Sequence, residues 1–293
     1  MFYNLLYLIP KNWLSRMVGA IMERRWPLGI HTIIRDRMIA AFKPDVGEAE
    51  HGLEAYATWS AFFVRRLRPG ARPLGASPLV CPVDGTLTQR GLLQSKELFL
   101  TQIKGIRYSL ADLLPGWDAT PYAGGSFLTV YLAPYNYHRI HTAAAGRVVR
   151  ARHVPGALWP VNAWSVRRIR ELFVRNDRVL VEMECPLDGN IGGADHEIGR
   201  MTIALVGATN VGRTTLDFSD LHGNAPGVTA VRDIPLSGDV VLAKAAELAC
   251  FEMGSTIVLV LDAAWTARLQ PGLLDDTEPQ TVRLGQDLAV PTA

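Results

Sequence analysis

From about residue 75 onward the chain reads as short apolar runs separated by Gly, Pro and Asp. The clearest are Phe127–Ala133 (FLTVYLA), Val179–Glu184 (VLVEME), Met201–Val206 (MTIALV) and Thr256–Leu261 (TIVLVL). Runs this short, rich in Val, Ile, Leu and Thr and bounded by turn formers, predict strands. Only Val240–Phe251 has a convincing helical pattern in this region. Many strands with few intervening helices favour antiparallel connections over repeated βαβ units. In VLVEME, Val179, Val181 and Met183 alternate with Leu180, Glu182 and Glu184, which predicts a strand buried on one face. The expected fold class is α+β, a mainly β body of antiparallel or mixed sheets with an N-terminal basic amphipathic helical segment.

That N-terminal segment has a different texture. Residues 1–43 carry Lys11, Arg16, Arg24, Arg25, Arg35, Arg37 and Lys43 against Glu23 and Asp36, a net +5, whereas the whole chain is only +2. Leu14, Met17, Val18 and Ile21 fall on one face of a helix, with Trp13 and Trp26 at its ends. Ile34, Met38 and Phe42 repeat the stripe. Basic amphipathic helices of this kind lie in a membrane interface, or pack their apolar faces on the protein's own core. A shorter helix is predicted from Trp59 to Leu67, stopped by Pro69-Gly70. The expected division is residues 1–70, helical, and 71–293, β-rich.

Composition narrows the function. With 293 residues, 48% hydrophobic and 20% charged, the chain can build a sizeable core. Its near-neutral charge gives no reason to expect a nucleic-acid partner. Cys81, Cys185 and Cys250 are widely spaced and form no CxxC pair, so neither a metal site nor a disulfide framework is expected. No secretory signal and no apolar run long enough to span a membrane are apparent.

Three stretches could carry chemistry. Asp84, in Pro82-Val83-Asp84-Gly85, reads as a turn residue or as a site carboxylate. His138 and His141, in Tyr137-His138-Arg139-Ile140-His141, are three apart and suit acid–base work near neutral pH, or one of them is a structural hydrogen-bonder. Ser255, in Gly254-Ser255-Thr256, opens the last apolar run. A serine needs a base to become a nucleophile, and no G-x-S-x-G elbow surrounds this one. The glycine before it allows close approach to its carbonyl. A serine hydrolase would keep Ser255 intact, and a non-catalytic membrane-bound β module would have no use for it.

In order and spacing, these stretches resemble the phosphatidylserine decarboxylases, a family of pyruvoyl-dependent lipid enzymes. The resemblance rests on Phe62-Phe63-x-Arg65 with Arg72-Pro73, Pro82-Val83-Asp84-Gly85 and Lys104-Gly105-x-x-Tyr108-Ser109-Leu110. It continues with Tyr137-His138-Arg139-Ile140-His141, Val154-Pro155-Gly156 with Pro160-Val161-Asn162, Val206-Gly207-Ala208-Thr209 with Val211-Gly212, and Gly254-Ser255-Thr256. Met253 stands where the family commonly has Leu, a near-isosteric exchange.

The resemblance implies that the chain makes its own cofactor. Asp84 would orient His141, and His141 would take the Ser255 proton. The alkoxide would attack the Gly254 carbonyl, and β-elimination from the resulting ester would part residues 1–254 from 255–293. Tautomerisation of the resulting dehydroalanine and its hydrolysis by water, with loss of ammonia, would leave a covalent pyruvoyl group derived from Ser255. That ketone would form a Schiff base with the serine headgroup amine and act as electron sink while CO₂ leaves. His138 would return a proton to carbon, with Tyr137 as support. The implied substrate is phosphatidylserine and the product phosphatidylethanolamine. The implied partners are an anionic membrane surface and the chain's own two fragments as a heterodimer. The implied location is peripheral, on the cytoplasmic side of the cell membrane. A pyruvoyl enzyme acting on a soluble amino acid is the nearest alternative, and the basic amphipathic N-terminus argues against it.

Overall fold

The computed structural model describes residues 10–94, 98–102, 105–192, 196–209, 213–252 and 255–291. Strands dominate beyond residue 84. They are β1 (Gly85–Leu92), β2 (Phe99–Gln102), β3 (Ile106–Ser109), β4 (Ser126–Tyr131), β5 (Arg139–His141), β6 (Gly146–Val154), β7 (Arg178–Pro186) and β8 (Ile198–Val206). Then follow β9 (Thr214–Leu216), β10 (Ser219–His222), β11 (Arg232–Ile234), β12 (Val241–Leu242), β13 (Glu247–Phe251), β14 (Thr256–Leu261) and β15 (Gln280–Val282). The main sheet runs β11-β6-β7-β8-β14-β4-β1-β15, with β12 also on β6. A smaller sheet runs β10-β9-β13-β5, and β2 pairs with β3. All these strand pairs are antiparallel, the α+β architecture that the punctuation predicts.

The TIVLVL run is β14, the central strand, held between β4 and β8 with Thr256 opposite both Tyr131 and Val206. Every residue of β14 is buried, because both faces of the strand are covered and both edges are paired. The same reasoning corrects the expectation for Val179–Glu184. This stretch lies in β7, between β6 and β8, and is buried on both faces except for Glu184. Its alternating Glu182 is inside, held by Arg150 at 2.6 and 3.0 Å and by the Tyr122 hydroxyl at 3.0 Å. A satisfied charge inside a core mimics the outward face of a half-buried strand.

Two further expectations are overturned. Val240–Phe251 is not a helix. It forms β12, a turn in which Ala245 takes a left-handed φ of 59°, and β13. Pairing of β13 with both β5 and β9 outweighs the helical propensity of its Ala, Leu and Glu. The helix at Trp59 stops at Phe63, and Leu67 instead bridges Ala49 in extended backbone.

The N-terminal helices are α1 (Lys11–Glu23) and α2 (Leu28–Phe42), followed by the short α3 (Trp59–Phe63). Trp59, Phe62 and Phe63 form a separate small core, against which Met22, Met38, Ile39 and Phe42 pack. Helix α1 meets the β body through polar groups. Lys11 lies 3.7 Å from the Trp159 ring centre, Asn12 donates to the Gly156 carbonyl at 2.8 Å, and Glu23 pairs with Arg213 at 2.7 Å. Its apolar Trp13, Met17 and Ile21 are exposed, as are Ile30 and Ile33 of α2. Among the described residues, no helix is long and apolar enough to cross a membrane.

Candidate active site

Ser255 is the residue just before the central strand. It is fully buried, its carbonyl accepts from Leu132 N–H at 2.8 Å, and its hydroxyl has no hydrogen-bond partner among the described residues. An orphaned hydroxyl in a core costs free energy, and functional sites are where such costs persist. Met253 and Gly254 lie outside the described residues.

The loop that receives Ser255 also places the first histidine. Leaving β4, the chain turns at Ala133, where Asn136 closes the turn through its side chain (2.8 Å) and its backbone (2.9 Å). His138 Nε2 lies 3.1 Å from the Ala133 carbonyl. Consecutive residues, Leu132 and Ala133, thus anchor Ser255 and His138. A carbonyl can only accept, so Nε2 carries the proton and Nδ1 presents its lone pair. That lone pair is buried without a partner among the described residues. The ring stacks on Phe63 at 4.1 Å between centres. Burial, followed by the Arg65 charge, pushes the imidazole pKa down to about 3.

Strand β5 carries His141 beside β13, opposite Glu247. His141 Nδ1 donates to the Ala245 carbonyl at 2.8 Å, which leaves Nε2 to accept from the Tyr137 hydroxyl at 3.0 Å. The left-handed turn at Ala245, in the segment read as helix, therefore fixes the histidine tautomer. Burial pushes His141 down, while the Ala245 carbonyl and the Glu247 charge oppose this, so the ring is neutral near pH 7. Glu247 is itself held by Arg66 (2.9 Å) and Arg139 (2.8 Å).

Asp84 and His141 are neighbours without a hydrogen bond. The His141 backbone N–H reaches the Pro82 carbonyl at 3.0 Å. The Asp84 carboxylate instead receives Arg72, with Nε at 3.0 and 3.1 Å and Nη2 at 2.5 Å, and Leu284 N–H at 2.9 Å. Arg72 Nη2 also meets Glu48 at 2.7 Å. Nor is Gly85 a positive-φ turn residue: it opens β1, and a Cβ there would lie 2.5 Å from the Tyr131 carbonyl oxygen. Glycine is needed because β1 approaches β4 closely beside the site. The sequence reading gives Arg72 and Asn136 no part in the chemistry and does not foresee the Tyr137–His141 hydrogen bond. The one available signal is the Arg72-Pro73 pair, which shows no chemistry until the fold supplies its carboxylates.

A cleft of about 260 Å³ lies alongside, bordered by Lys43, Arg65, Arg72, Asp84, Tyr137 and Arg283 among others. No group of three or more His, Cys, Asp or Glu suited to a metal ion occurs among the described residues.

Comparison with known proteins bears directly on this arrangement. The family model described as phosphatidylserine decarboxylase matches residues 59–290, which includes both histidines, Asp84 and Ser255. The phosphatidylserine decarboxylase proenzyme of Anaeromyxobacter sp. (strain K) is 38% identical over 98% of this chain and 97% of its own length. The proenzyme of that name from Polaromonas naphthalenivorans (strain CJ2) is 39% identical, over 97% of this chain and 94% of its own. The one from Azoarcus sp. (strain BH72) is 40% identical over 87% and 84%. Likeness at this level along nearly the whole chain shows that this protein belongs to the phosphatidylserine decarboxylase family.

Proposed function

We propose that this chain is a carboxy-lyase proenzyme. It converts Ser255 into its own catalytic carbonyl and then decarboxylates phosphatidylserine to phosphatidylethanolamine and CO₂ at a membrane surface. The observation that carries this reading is Ser255 itself, a buried hydroxyl with no partner among the described residues, at the mouth of the central strand and anchored to the same loop as His138. This burial fits a pyruvoyl precursor, since exclusion of water protects a reactive ketone from side reactions.

In processing, His141 is assigned as the base for Ser255. Its Nδ1 proton is committed to Ala245, so Nε2, which accepts from the Tyr137 hydroxyl, holds the lone pair that serves as base once that hydrogen bond is given up. Asp84 acts on it through charge, favouring the imidazolium form without touching it. Ser255 Oγ attacks the Gly254 carbonyl carbon, the acyl group passes from nitrogen to oxygen, and elimination frees residues 1–254. The fragment 255–293 stays bound, because its β14 is zipped to β4 and β8 along six residues on each side.

When present, the pyruvoyl carbonyl supplies an electron sink for the bond that loses CO₂. His138 is assigned to the proton that returns to carbon. Burial and the Arg65 charge make its protonated form strongly acidic, so a proton placed there is readily passed on. Tyr137 directly precedes His138 in sequence and supports His141 in space.

Membrane docking is assigned to α1 and α2, facing the cytoplasmic leaflet. Polar contacts of α1 with the body and packing of Met38, Ile39 and Phe42 of α2 on the small core hold the pair in place and leave Trp13, Met17, Ile21, Ile30 and Ile33 outward, as an interfacial helix requires. Each well-placed cation of the segment adds roughly 1 kcal/mol on an anionic surface.

The test is intact mass after purification. Wild-type protein should give two fragments, the smaller one blocked at its N-terminus, while Ser255→Ala should remain one inactive chain. An active enzyme with an unbroken chain and an ordinary serine at position 255 overturns the proposal.

A further inference from the structure

The Phe62-Phe63-x-Arg65 motif has so far lent only Phe63, as a stacking surface for His138. Its arginine is unusual. Arg65 is 4% exposed, yet among the described residues its guanidinium makes no ion pair and no hydrogen bond. Its one close partner is the Phe62 ring, 4.8 Å from the guanidinium carbon. Of the acids whose charge reaches it, Asp84 and Glu48 are held by Arg72, and Asp45, which accepts from Gly47 N–H at 2.9 Å, makes no ion pair with Arg65 among the described residues. Buried arginines are ordinarily paired, because an uncompensated charge in a core costs several kcal/mol. Here the charge borders the cleft next to Tyr137, the partner of His141, and acts on the buried His138 behind it.

Resting on the decarboxylase reading above, we propose that Arg65 is the receptor for the phosphodiester of the lipid headgroup. Two anionic groups on that headgroup could meet a guanidinium, and the chemistry separates them. The carboxylate loses its charge as CO₂ departs. An arginine bound to it would stabilise the ground state more than the transition state and slow the reaction. The phosphodiester keeps its charge from substrate to product, so an arginine there holds the headgroup throughout at no cost to the chemical step. A planar fork of N–H donors also suits two phosphate oxygens.

The position fits a lipid. The cleft includes Lys43, which caps the end of α2, the helix whose Ile30 and Ile33 face outward. A headgroup entering from the membrane side of α2 thus reaches Arg65 beside His138. Neutralising Arg65 would also lift part of the penalty on a protonated His138, coupling headgroup binding to readiness for proton transfer.

The experiment compares processed wild-type enzyme with Arg65→Gln and Arg65→Lys. Fragment yield checks folding. Kinetics on phosphatidylserine in mixed micelles are paired with competition by two soluble probes. Glycerophosphoethanolamine carries the phosphodiester without the carboxylate, and N-acetylserine the carboxylate without the phosphodiester. For Arg65→Gln, KM should rise about 10- to 100-fold with kcat within about threefold, and glycerophosphoethanolamine inhibition should weaken by the same factor. N-acetylserine inhibition should be unchanged, and Arg65→Lys should recover part of the loss. An unchanged KM, or a loss confined to N-acetylserine, overturns the proposal.

If Arg65→Gln fails to fold, glycerophosphoethanolamine is titrated into wild-type protein and the Arg65 side-chain N–H resonances are followed. No shift at saturation overturns it. The same titration on the Ser255→Ala precursor separates this inference from the decarboxylase reading, because that protein has no activity to lose.

Discussion

Replacing Asp84 with Asn separates the role that the motif suggests from the one that the geometry supports. The carboxylate receives three close contacts from Arg72, with both side chains under a tenth exposed at 7% and 8%. Asparagine keeps the shape and an acceptor for Leu284 N–H but removes the charge. Breaking a buried ion pair from one side costs about 3–5 kcal/mol, because the partner is left uncompensated. Glu48, 2.7 Å from the same guanidinium, retains part of that compensation, so a loss of about 2–3 kcal/mol is expected. The assay is urea unfolding in a Ser255→Ala background, where processing cannot complicate the transition. A double-mutant cycle with Arg72→Met should return a coupling of about 2 kcal/mol. In the processing-competent chain, Arg72→Met should slow self-cleavage as severely as Asp84→Asn does, since both dismantle one frame. The reasoning is refuted if Asp84→Asn unfolds within about 0.5 kcal/mol of its parent yet abolishes cleavage while Arg72→Met cleaves normally. Asp84 would then serve His141 directly.

Other expectations follow from the same geometry. His141→Ala should block cleavage, whereas His138→Ala should yield both fragments with decarboxylation largely lost; the opposite pattern on a denaturing gel reverses their roles. His138 titrates near 6.5 when unfolded and near 3 when folded, so between these values the unfolded chain binds the extra proton. Stability should therefore fall as pH drops below about 6.5, by up to about 1.4 kcal/mol per unit from this group, and His138→Phe should flatten the slope in urea midpoints. Gly85→Ala drives a methyl against the Tyr131 carbonyl and should cost about 1–3 kcal/mol in the same assay. Replacing Trp13 and Ile33 together by Ser should weaken binding to anionic vesicles in a flotation assay, with the unfolding midpoint unchanged, because both side chains are exposed.

Much of this protein could be read directly from the chain. The punctuation of short apolar runs determined a mainly antiparallel β body, and TIVLVL is a strand with the boundaries its composition marks. The order of small motifs determined the family. The cationic stripe and its flanking aromatics marked the N-terminal helices. These features are local: turn chemistry, side-chain shape and periodicity act within a few residues.

Only the tertiary structure decided the rest, because pairing across the chain outweighs local preference. Val240–Phe251 has helix-forming residues but becomes β13, since two neighbouring strands satisfy its backbone and a helix there would leave theirs unpaired. Glu182 looks like a solvent-facing residue until Arg150 and Tyr122 arrive to hold it inside. The partners of Asp84 and the His141 tautomer depend on Arg72 and Ala245, residues 12 and 104 positions away. That Arg65 has no ion-pair partner among the described residues can be known only once the acids near it have been placed. Charge compensation and backbone pairing are long-range in sequence, and the fold alone assigns them.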